Sequence, residues 1–220
     1  MTKLMVTPGG VSIATVRQQI ERQKFEARHT PRMIFAMDAT GSREPTWEMA
    51  SKLHREMGAV LGDLTLQLVF FRGAECKASG WVTGGQRLAE LMNKVRCSSG
   101  YTQIGRVLRR AIEAGCEHAI RALVYVGDCC EEDGEELFAL AEQLKRQRIP
   151  IFLFHEGYDS IAEPIFRGLA KITGGIYASF DAGSAEQLRK LLTGAAEYAA
   201  GKHQSIGALR NTLLLSNGDR

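Results

Sequence analysis

Short apolar runs recur along the chain and are separated by longer amphipathic stretches. Five runs are interpreted as strands, the last of them the weakest: residues 33–37, 64–71, 122–126, 149–154 and 175–180. Apolar runs without regular polar alternation are typical of strands that are buried on both faces, as in parallel sheets. The pattern therefore predicts a central sheet that is covered on both sides.

The amphipathic stretches between these runs have the length of helices. Six helices are predicted: 45–61, 86–95, 104–117, 134–147, 161–172 and 185–198. Asp133 and Ser184 stand directly before two of them, where short polar side chains cap helix N-termini. Strands that alternate with helices predict an α/β fold with three layers, built on a doubly wound and mostly parallel sheet.

One segment departs from this alternation. Residues 75–82 alternate apolar and polar side chains, and no helix is predicted after them until Gln86. This segment predicts one short antiparallel strand at the sheet edge, paired with the strand that ends near Phe71.

The two ends of the chain have a different character from its centre. Residues 11–29 predict a helix with a thin apolar face, which ends before Pro31 because the residue preceding a proline disfavours helix. From Gly201 the chain becomes small and polar. We therefore predict an N-terminal helical extension over 1–30, one α/β domain over 31–200 and a tail over 201–220.

The composition is that of a globular protein in a reducing compartment. Hydrophobic residues make up 45% and charged residues 24% of 220 residues, and no apolar run is long enough to span a bilayer. The five cysteines form no repeating spacing, and the N-terminus lacks the apolar core of a signal peptide. These features predict a cytoplasmic protein. The mild net charge of +3, with few aromatic residues near the basic ones, predicts neither a nucleic-acid nor a membrane partner.

Hydroxyl and carboxylate side chains follow the predicted strands at their carboxyl ends. Asp38, Thr40 and Ser42 follow the first strand, Thr102 precedes the helix that begins near residue 104, and Asp128 follows the strand 122–126. The carboxyl ends of parallel strands form the binding edge of such a sheet, so these side chains are expected to converge. Oxygen atoms of this kind are the ligands that Mg²⁺ prefers, and an incomplete protein shell leaves a position for an outside carboxylate.

These residues resemble a known family. An Asp-x-Thr-x-Ser motif after a buried strand, a Gly-Tyr-Thr loop before a helix and a later aspartate after a strand are similar to the von Willebrand factor A (VWA) domain. The resemblance covers about residues 32–199 and implies a Rossmann-like sheet with a metal-ion-dependent adhesion site (MIDAS). It implies that Asp38, Thr40, Ser42, Thr102 and Asp128 hold Mg²⁺ or Mn²⁺ and that a partner protein supplies a further carboxylate.

The same resemblance implies a role in protein assemblies, and the sequence departs from the family's usual motifs in two places. Intracellular VWA domains commonly serve multiprotein assemblies, often beside an ATPase, so a protein-interaction module without enzymatic activity is expected. The family most often has serine at the position of Thr40, and it usually has Thr-Asp-Gly where this chain has Gly127-Asp128-Cys129.

Other interpretations remain open. An aspartate that ends the first strand can be the nucleophile of a Mg²⁺-dependent phosphohydrolase, although Thr40 stands where such enzymes have a second acid. A VWA scaffold without metal is a third possibility. The acidic run 131–136 is interpreted as favouring a helix N-terminus, with attraction of the cation or of a basic partner as the alternative. Cys129 and Cys130 are interpreted as buried thiols, and His155 as a structural histidine.

Overall fold

A computed structural model of the chain describes residues 16–18, 30–62, 64–202, 206–207 and 209. The strands are β1 Arg32–Asp38, β2 Thr65–Arg72, β3 Glu75–Ala78, β4 Val82–Thr83, β5 Ile120–Gly127, β6 Ile151–Glu156 and β7 Ile176–Phe180. The helices that follow residue 43 are α1 Glu44–Glu56, α2 Gly58–Leu61, α3 Gly85–Met92, α4 Ile104–Glu117, α5 Gly134–Arg146, α6 Ala162–Thr173 and α7 Ala185–Ala199.

The strands form one sheet in the order β3-β2-β1-β5-β6-β7. The pairs β2–β1, β1–β5, β5–β6 and β6–β7 are parallel. Strand β3 runs antiparallel to β2 at the edge, and the two-residue strand β4 also pairs with β2 in the antiparallel direction. The predicted mostly parallel α/β sheet and its antiparallel edge strand are thus confirmed, while β4 was not predicted.

Strand β1 shows how the sheet divides the core. All seven of its residues are buried, and successive side chains point to opposite faces. Met33, Phe35 and Met37 pack with α1, α2, α3 and α7 on one face. Ile34 and Ala36 pack with α4, α5 and α6 on the other face. The result is the three-layer, doubly wound architecture that the alternation of strands and helices predicts.

Helix boundaries agree with the prediction within one residue at all but two places: α3 ends at Met92 rather than at residue 95, and the first predicted helix is interrupted. The predicted helix 45–61 is divided at Met57 into α1 and the one-turn helix α2. Met57 and Leu61 are both buried, so the apolar periodicity continues across the break and conceals it. Gly58 begins α2, and glycine is a poor residue for continuing a helix. The caps are as predicted, since Asp133 and Ser184 accept backbone N–H groups at the starts of α5 and α7.

The predicted terminal segments fall largely outside the described residues. Of the predicted helix 11–29, only residues 16–18 are described, and they are helical. Of the predicted tail 201–220, Leu209 is buried against the core face that contains α7. The domain boundaries proposed above stay predictions. None of the helices in the described ranges combines the length and hydrophobicity that crossing a bilayer requires.

Candidate metal centre

The candidate site lies between two neighbouring strands whose following helices cover opposite faces of the sheet. Strand β1 is followed by α1 on one face, whereas β5 is followed by α5 on the other. These two strands are parallel neighbours, and Met37 is in register with Val126. Asp38 ends β1 and Asp128 directly follows β5, so both stand at the crevice where open α/β sheets bind ligands.

Asp38 is held in a tight turn at the end of β1. Its side chain is buried, and Oδ1 accepts the Thr40 backbone N–H at 2.7 Å. The chain then forms a single 3-10 turn over Gly41–Arg43, in which the Thr40 and Ser42 hydroxyls lie 3.4 Å apart. The i, i+2, i+4 spacing therefore gathers one carboxylate and two hydroxyls around one point.

Thr102 is joined to the loop after β5 by a reciprocal pair of hydrogen bonds. The Thr102 backbone N–H donates to Glu131 Oε2 at 2.9 Å, and the Glu131 N–H donates to Thr102 Oγ1 at 3.0 Å. The pair fixes the position of the Thr102 hydroxyl relative to Asp128, which is three residues before Glu131.

The acidic run after Asp128 is divided between two helix N-termini. Glu132 accepts the backbone N–H groups of Ile104 and Gly105 at the start of α4. Asp133 caps α5, with Oδ1 accepting from Glu135 and Glu136 at 2.8 and 3.0 Å. The run therefore favours helix N-termini as expected, but it serves two helices, because tertiary packing brings α4 beside this loop.

The five predicted site residues come together. A pocket of about 400 Å³ is lined by Asp38, Thr40, Ser42 and Thr102, and also by Glu131. Asp128 lies beside it, since ligand atoms of Asp38, Asp128 and Cys129 are all within 4.8 Å of one another. Gly41, Ser99, Gly100 and Cys129 complete the wall. Gly100 belongs to the Gly-Tyr-Thr loop, whereas no motif indicated Ser99.

The residues present fit a hard divalent cation. Burial raises the pKa of Asp38 to about 6, with the charge of Asp128 adding to the rise while the hydrogen bonds from Thr40 oppose it. Asp128 Oδ1 is buried and has no hydrogen-bond partner in the described part of the chain. Two carboxylates that face each other in this way leave unbalanced negative charge, which a cation would neutralise. Three hydroxyls nearby supply the remaining oxygen donors.

Cys129 does not make the site a soft-metal one. Burial, together with the neighbouring Asp128, raises the pKa of the Cys129 thiol to about 12. Cys129 is a single sulfur among carboxylate and hydroxyl oxygens, whereas soft metals take several thiolate or imidazole ligands. All five cysteines are free; Cys130 is buried as expected, whereas Cys129 is only half-buried.

Two residues near the site were missed by the sequence analysis. Arg43 and Glu156 are buried and form an ion pair, and Thr46 Oγ1 donates to Glu156 Oε1 at 2.7 Å. Arg43 Nη1 also lies 3.9 Å from Asp128 Oδ2. The partners of this pair are 113 residues apart, so no local pattern could have revealed them.

His155 forms a hydrogen bond with the Asp128 backbone. It is buried, and its two ring nitrogens lie 3.0 Å from the Asp128 carbonyl oxygen and 3.0 Å from the Tyr177 hydroxyl. Because the carbonyl can only accept, Nε2 carries the proton and Nδ1 accepts from Tyr177. A second feature of this loop is Gly127, where a Cβ would lie 2.7 Å from the Tyr125 ring.

Comparison with known proteins shows the fold. No protein-family profile and no curated protein sequence matches the chain. BatB from Bacteroides thetaiotaomicron, a conserved hypothetical protein, is 17% identical with a TM-score of 0.59, over 77% of this chain and 98% of its own. A von Willebrand factor type A structure from Catenulispora acidiphila is also 17% identical with a TM-score of 0.59, over 75% of this chain and 42% of its own.

A third solved structure agrees. The VWA domain of SpRpn10 is 14% identical with a TM-score of 0.55, over 74% of this chain and 94% of its own. Together these likenesses establish that the chain has the fold of VWA domains, as the resemblance of its motifs implies.

Proposed function

We propose that this chain is a cytoplasmic, cation-dependent protein-binding domain rather than an enzyme. In this proposal Asp38, Ser42 and Thr102 hold Mg²⁺ or Mn²⁺ directly or through water, and Thr40 and Asp128 bind directly or support them. A bound divalent cation supplies an electrophilic position that a partner's carboxylate can occupy. The resemblance to VWA domains further suggests that the partner belongs to a multiprotein assembly, such as one that contains an ATPase.

The observation that carries the proposal is the facing pair of carboxylates. Asp38 and Asp128 lie within ligand distance of one ion, and Asp128 Oδ1 is buried without a hydrogen bond in the described chain. An unsatisfied buried carboxylate oxygen is costly, so a group that binds there stabilises the folded protein. The pocket beside this pair opens to solvent and is lined by four hydroxyl-bearing residues, namely Thr40, Ser42, Ser99 and Thr102.

The pocket's chemistry favours binding over phosphoryl transfer. Its lining residues include no lysine or arginine that would stabilise a transferred phosphoryl group. Thr40 occupies the position of the second acid, and its hydroxyl, which lies 3.4 Å from the Ser42 hydroxyl, cannot act as that acid. If the chain were a phosphohydrolase with Asp38 as nucleophile, it would hydrolyse a generic phosphate ester in Mg²⁺. The binding proposal predicts no hydrolysis above the Asp38→Ala background.

Thermal unfolding with and without cation tests the metal site. Millimolar Mg²⁺ or Mn²⁺ is expected to raise the melting temperature of the wild-type chain and to leave Asp38→Ala unchanged, since only a native-state ligand stabilises. Glu186→Gln is the matched control, because Glu186 is an exposed carboxylate on α7. Equal shifts in all three proteins, or no shift in the wild type, would contradict the metal site and leave a metal-free scaffold.

Recovery of partners with and without chelator tests the binding mechanism. A tagged wild-type chain is incubated with native cell extract in Mg²⁺ or in EDTA, and Asp38→Ala is treated in the same way. Partners that are recovered only by the wild type in Mg²⁺ support the proposal. Partners recovered equally in all four samples contradict a cation-mediated contact.

A further inference from the structure

A groove runs away from the candidate metal centre along the edge of the sheet, between β3 and α4. Three cavities lie in a row there and share walls. The pocket of the metal centre shares Ser99 and Gly100 with a cavity of about 780 Å³, which in turn shares Arg106 with a third cavity of about 270 Å³. We call the second and third cavities together the edge groove, lined by Gly73, Ala74, Tyr101, Arg106, Arg109 and Arg110 among others.

The cavity next to the metal centre has small residues and one aromatic ring on one side, and Gln103 and Arg106 of the α4 region on the other. Gly73 and Ala74, in the turn between β2 and β3, face Gly100 and Tyr101 in the loop before α4. The two loops are in backbone contact, since a Cβ on Gly100 would lie 2.2 Å from the Gly73 nitrogen. The Tyr101 side chain is 75% exposed. A large exposed aromatic ring over a small-residue wall is suited to covering an apolar side chain of a ligand.

The far part of the edge groove is basic. Lys77 on β3 and Arg106, Arg109 and Arg110 on α4 line the third cavity together with one acid, Glu113. Arg110 is paired with Glu113 at 3.3 Å, and Lys77 is paired with Glu75 at 2.9 Å. Arg109 is exposed and has no ion-pair partner within the described ranges, so four cations face two carboxylates.

We propose that the edge groove selects an extended acidic segment of the partner protein. One carboxylate of this segment binds the cation, a neighbouring large apolar side chain enters the cavity beside Tyr101, and a second acidic side chain meets Arg109 and Arg110. The inference rests on the proposed function, because the first of these contacts is the cation-bound carboxylate. The metal centre adjoins the cavity beside Tyr101, and that cavity adjoins the basic third cavity. A segment that crosses them in turn has the order acid, apolar, acid.

The dimensions of α4 limit the spacing of the last two of these side chains. Arg106 and Arg110 are one helical turn apart, which is about 6 Å along the axis, or roughly two residues of an extended strand. The second acid is therefore expected about two positions beyond the apolar residue.

Selection from a phage-displayed library of random dodecapeptides, on the 220-residue chain in Mg²⁺, tests the inference. Selected peptides are expected to share the acid, apolar, acid order. Fluorescence polarisation then measures the affinity of a selected peptide for the variants. Asp38→Ala or chelator is expected to abolish binding. Tyr101→Ser and the double variant Arg109→Glu with Arg110→Glu are each expected to weaken it about tenfold, through lost packing and reversed charge.

Lys52→Glu is the matched control, because Lys52 is an exposed cation on α1 outside the edge groove. It is expected to bind within twofold of wild type, and melting temperatures confirm that each variant is folded. One result would overturn the inference while the proposed function stands. In that result the selected peptides share only an acid, chelator weakens their binding, and neither Tyr101→Ser nor the double variant changes it. Peptide binding that survives chelator and Asp38→Ala contradicts the proposed function and the inference together, and selection of no peptide overturns the inference.

Discussion

At the carboxyl edge of the sheet, Glu156 at the end of β6 lies against Arg43 and Thr46, whereas Asp38 and Asp128 at the ends of β1 and β5 face each other. Asp38 and Glu156 are buried, whereas the Asp128 side chain is 32% exposed. The charge of Glu156 is balanced within the chain, and its oxygens accept hydrogen bonds. The pKa of Asp38 is instead raised by burial to about 6, and Asp128 Oδ1 has no partner in the described chain.

The difference separates a structural carboxylate from one that needs an outside group. The pair of Arg43 and Glu156 needs no outside charge and is costly to break, although Arg43 Nε and Nη2 have no hydrogen-bond partner in the described chain. A facing pair of carboxylates has no such balance, so its stability depends on protons or on a cation. Arg43 lies between the two regions, 3.9 Å from Asp128, and its guanidinium serves Glu156 first.

Breaking the balanced pair is expected to have the largest effect. Arg43→Met leaves Glu156 buried and unpaired, which should lower the free energy of unfolding by about 3 to 5 kcal/mol. Urea unfolding at pH 7.5 measures this loss. The double variant Arg43→Met with Glu156→Gln removes both charges and should recover most of it. If Arg43→Met lowers the free energy of unfolding by less than about 1 kcal/mol, the ion pair with Arg43 does not stabilise buried Glu156.

Neutralising Asp38 in the facing pair of carboxylates is expected to raise the free energy of unfolding. The pKa of Asp38 in the folded protein, about 6, lies above its unfolded value near 3.9, so ionised Asp38 destabilises the fold at pH 7.5. In chelator, Asp38→Asn should therefore raise the free energy of unfolding by about 2 kcal/mol, while losing the stabilisation by Mg²⁺. A metal-free Asp38→Asn protein that is less stable than wild type would contradict the unbalanced charge.

The same pKa sets a pH dependence for the metal centre. As the pH falls through about 6, Asp38 gains a proton that competes with the cation. The apparent affinity for Mg²⁺ should then be about tenfold weaker at pH 5 than at pH 7.5, which is about 1.4 kcal/mol. Without metal, the penalty from ionised Asp38 is full above pH 7 and disappears as the pH falls from 6 towards 4. Calorimetric titration at several pH values checks the first part, and an affinity that is constant between pH 5 and 7.5 would exclude it.

The smallest effect is expected beneath the loop that carries Asp128. His155→Leu removes the donor to the Asp128 carbonyl and should cost about 1 kcal/mol of stability, together with a few-fold loss of Mg²⁺ affinity. His155→Gln can place an N–H near the position of Nε2 and should restore the affinity more than the stability. Equal Mg²⁺ affinity in wild type and His155→Leu would mean that His155 does not position Asp128.

The predicted site was recoverable from local patterns because its residues follow elements that periodicity reveals. Asp38 ends a continuous apolar run, and Thr102 stands just before an amphipathic helix. Parallel pairing then brings strand ends to one edge whatever the details of the loops. The sequence analysis could not reveal the β4 pairing or the break at Met57, because two residues form no pattern and the apolar periodicity crosses the break.

The pairing of charges was likewise beyond the sequence. The run 131–133 reads as one acidic cluster, yet Glu132 serves α4 and Asp133 caps α5, because the fold brings the start of α4 beside this loop. Arg43 resembles an ordinary basic residue after a turn until β6 places Glu156 beside it.

By itself, the sequence determined the strand and helix order, the α/β class and the set of oxygen donors at the strand ends. These follow from local properties, namely hydrophobic period and residue chemistry over a few positions. Only the tertiary structure decided which carboxylates are balanced, which helix an acidic loop serves and which cavities share walls. Those depend on contacts between residues far apart in the chain, whose energies arise only once water has been excluded between them.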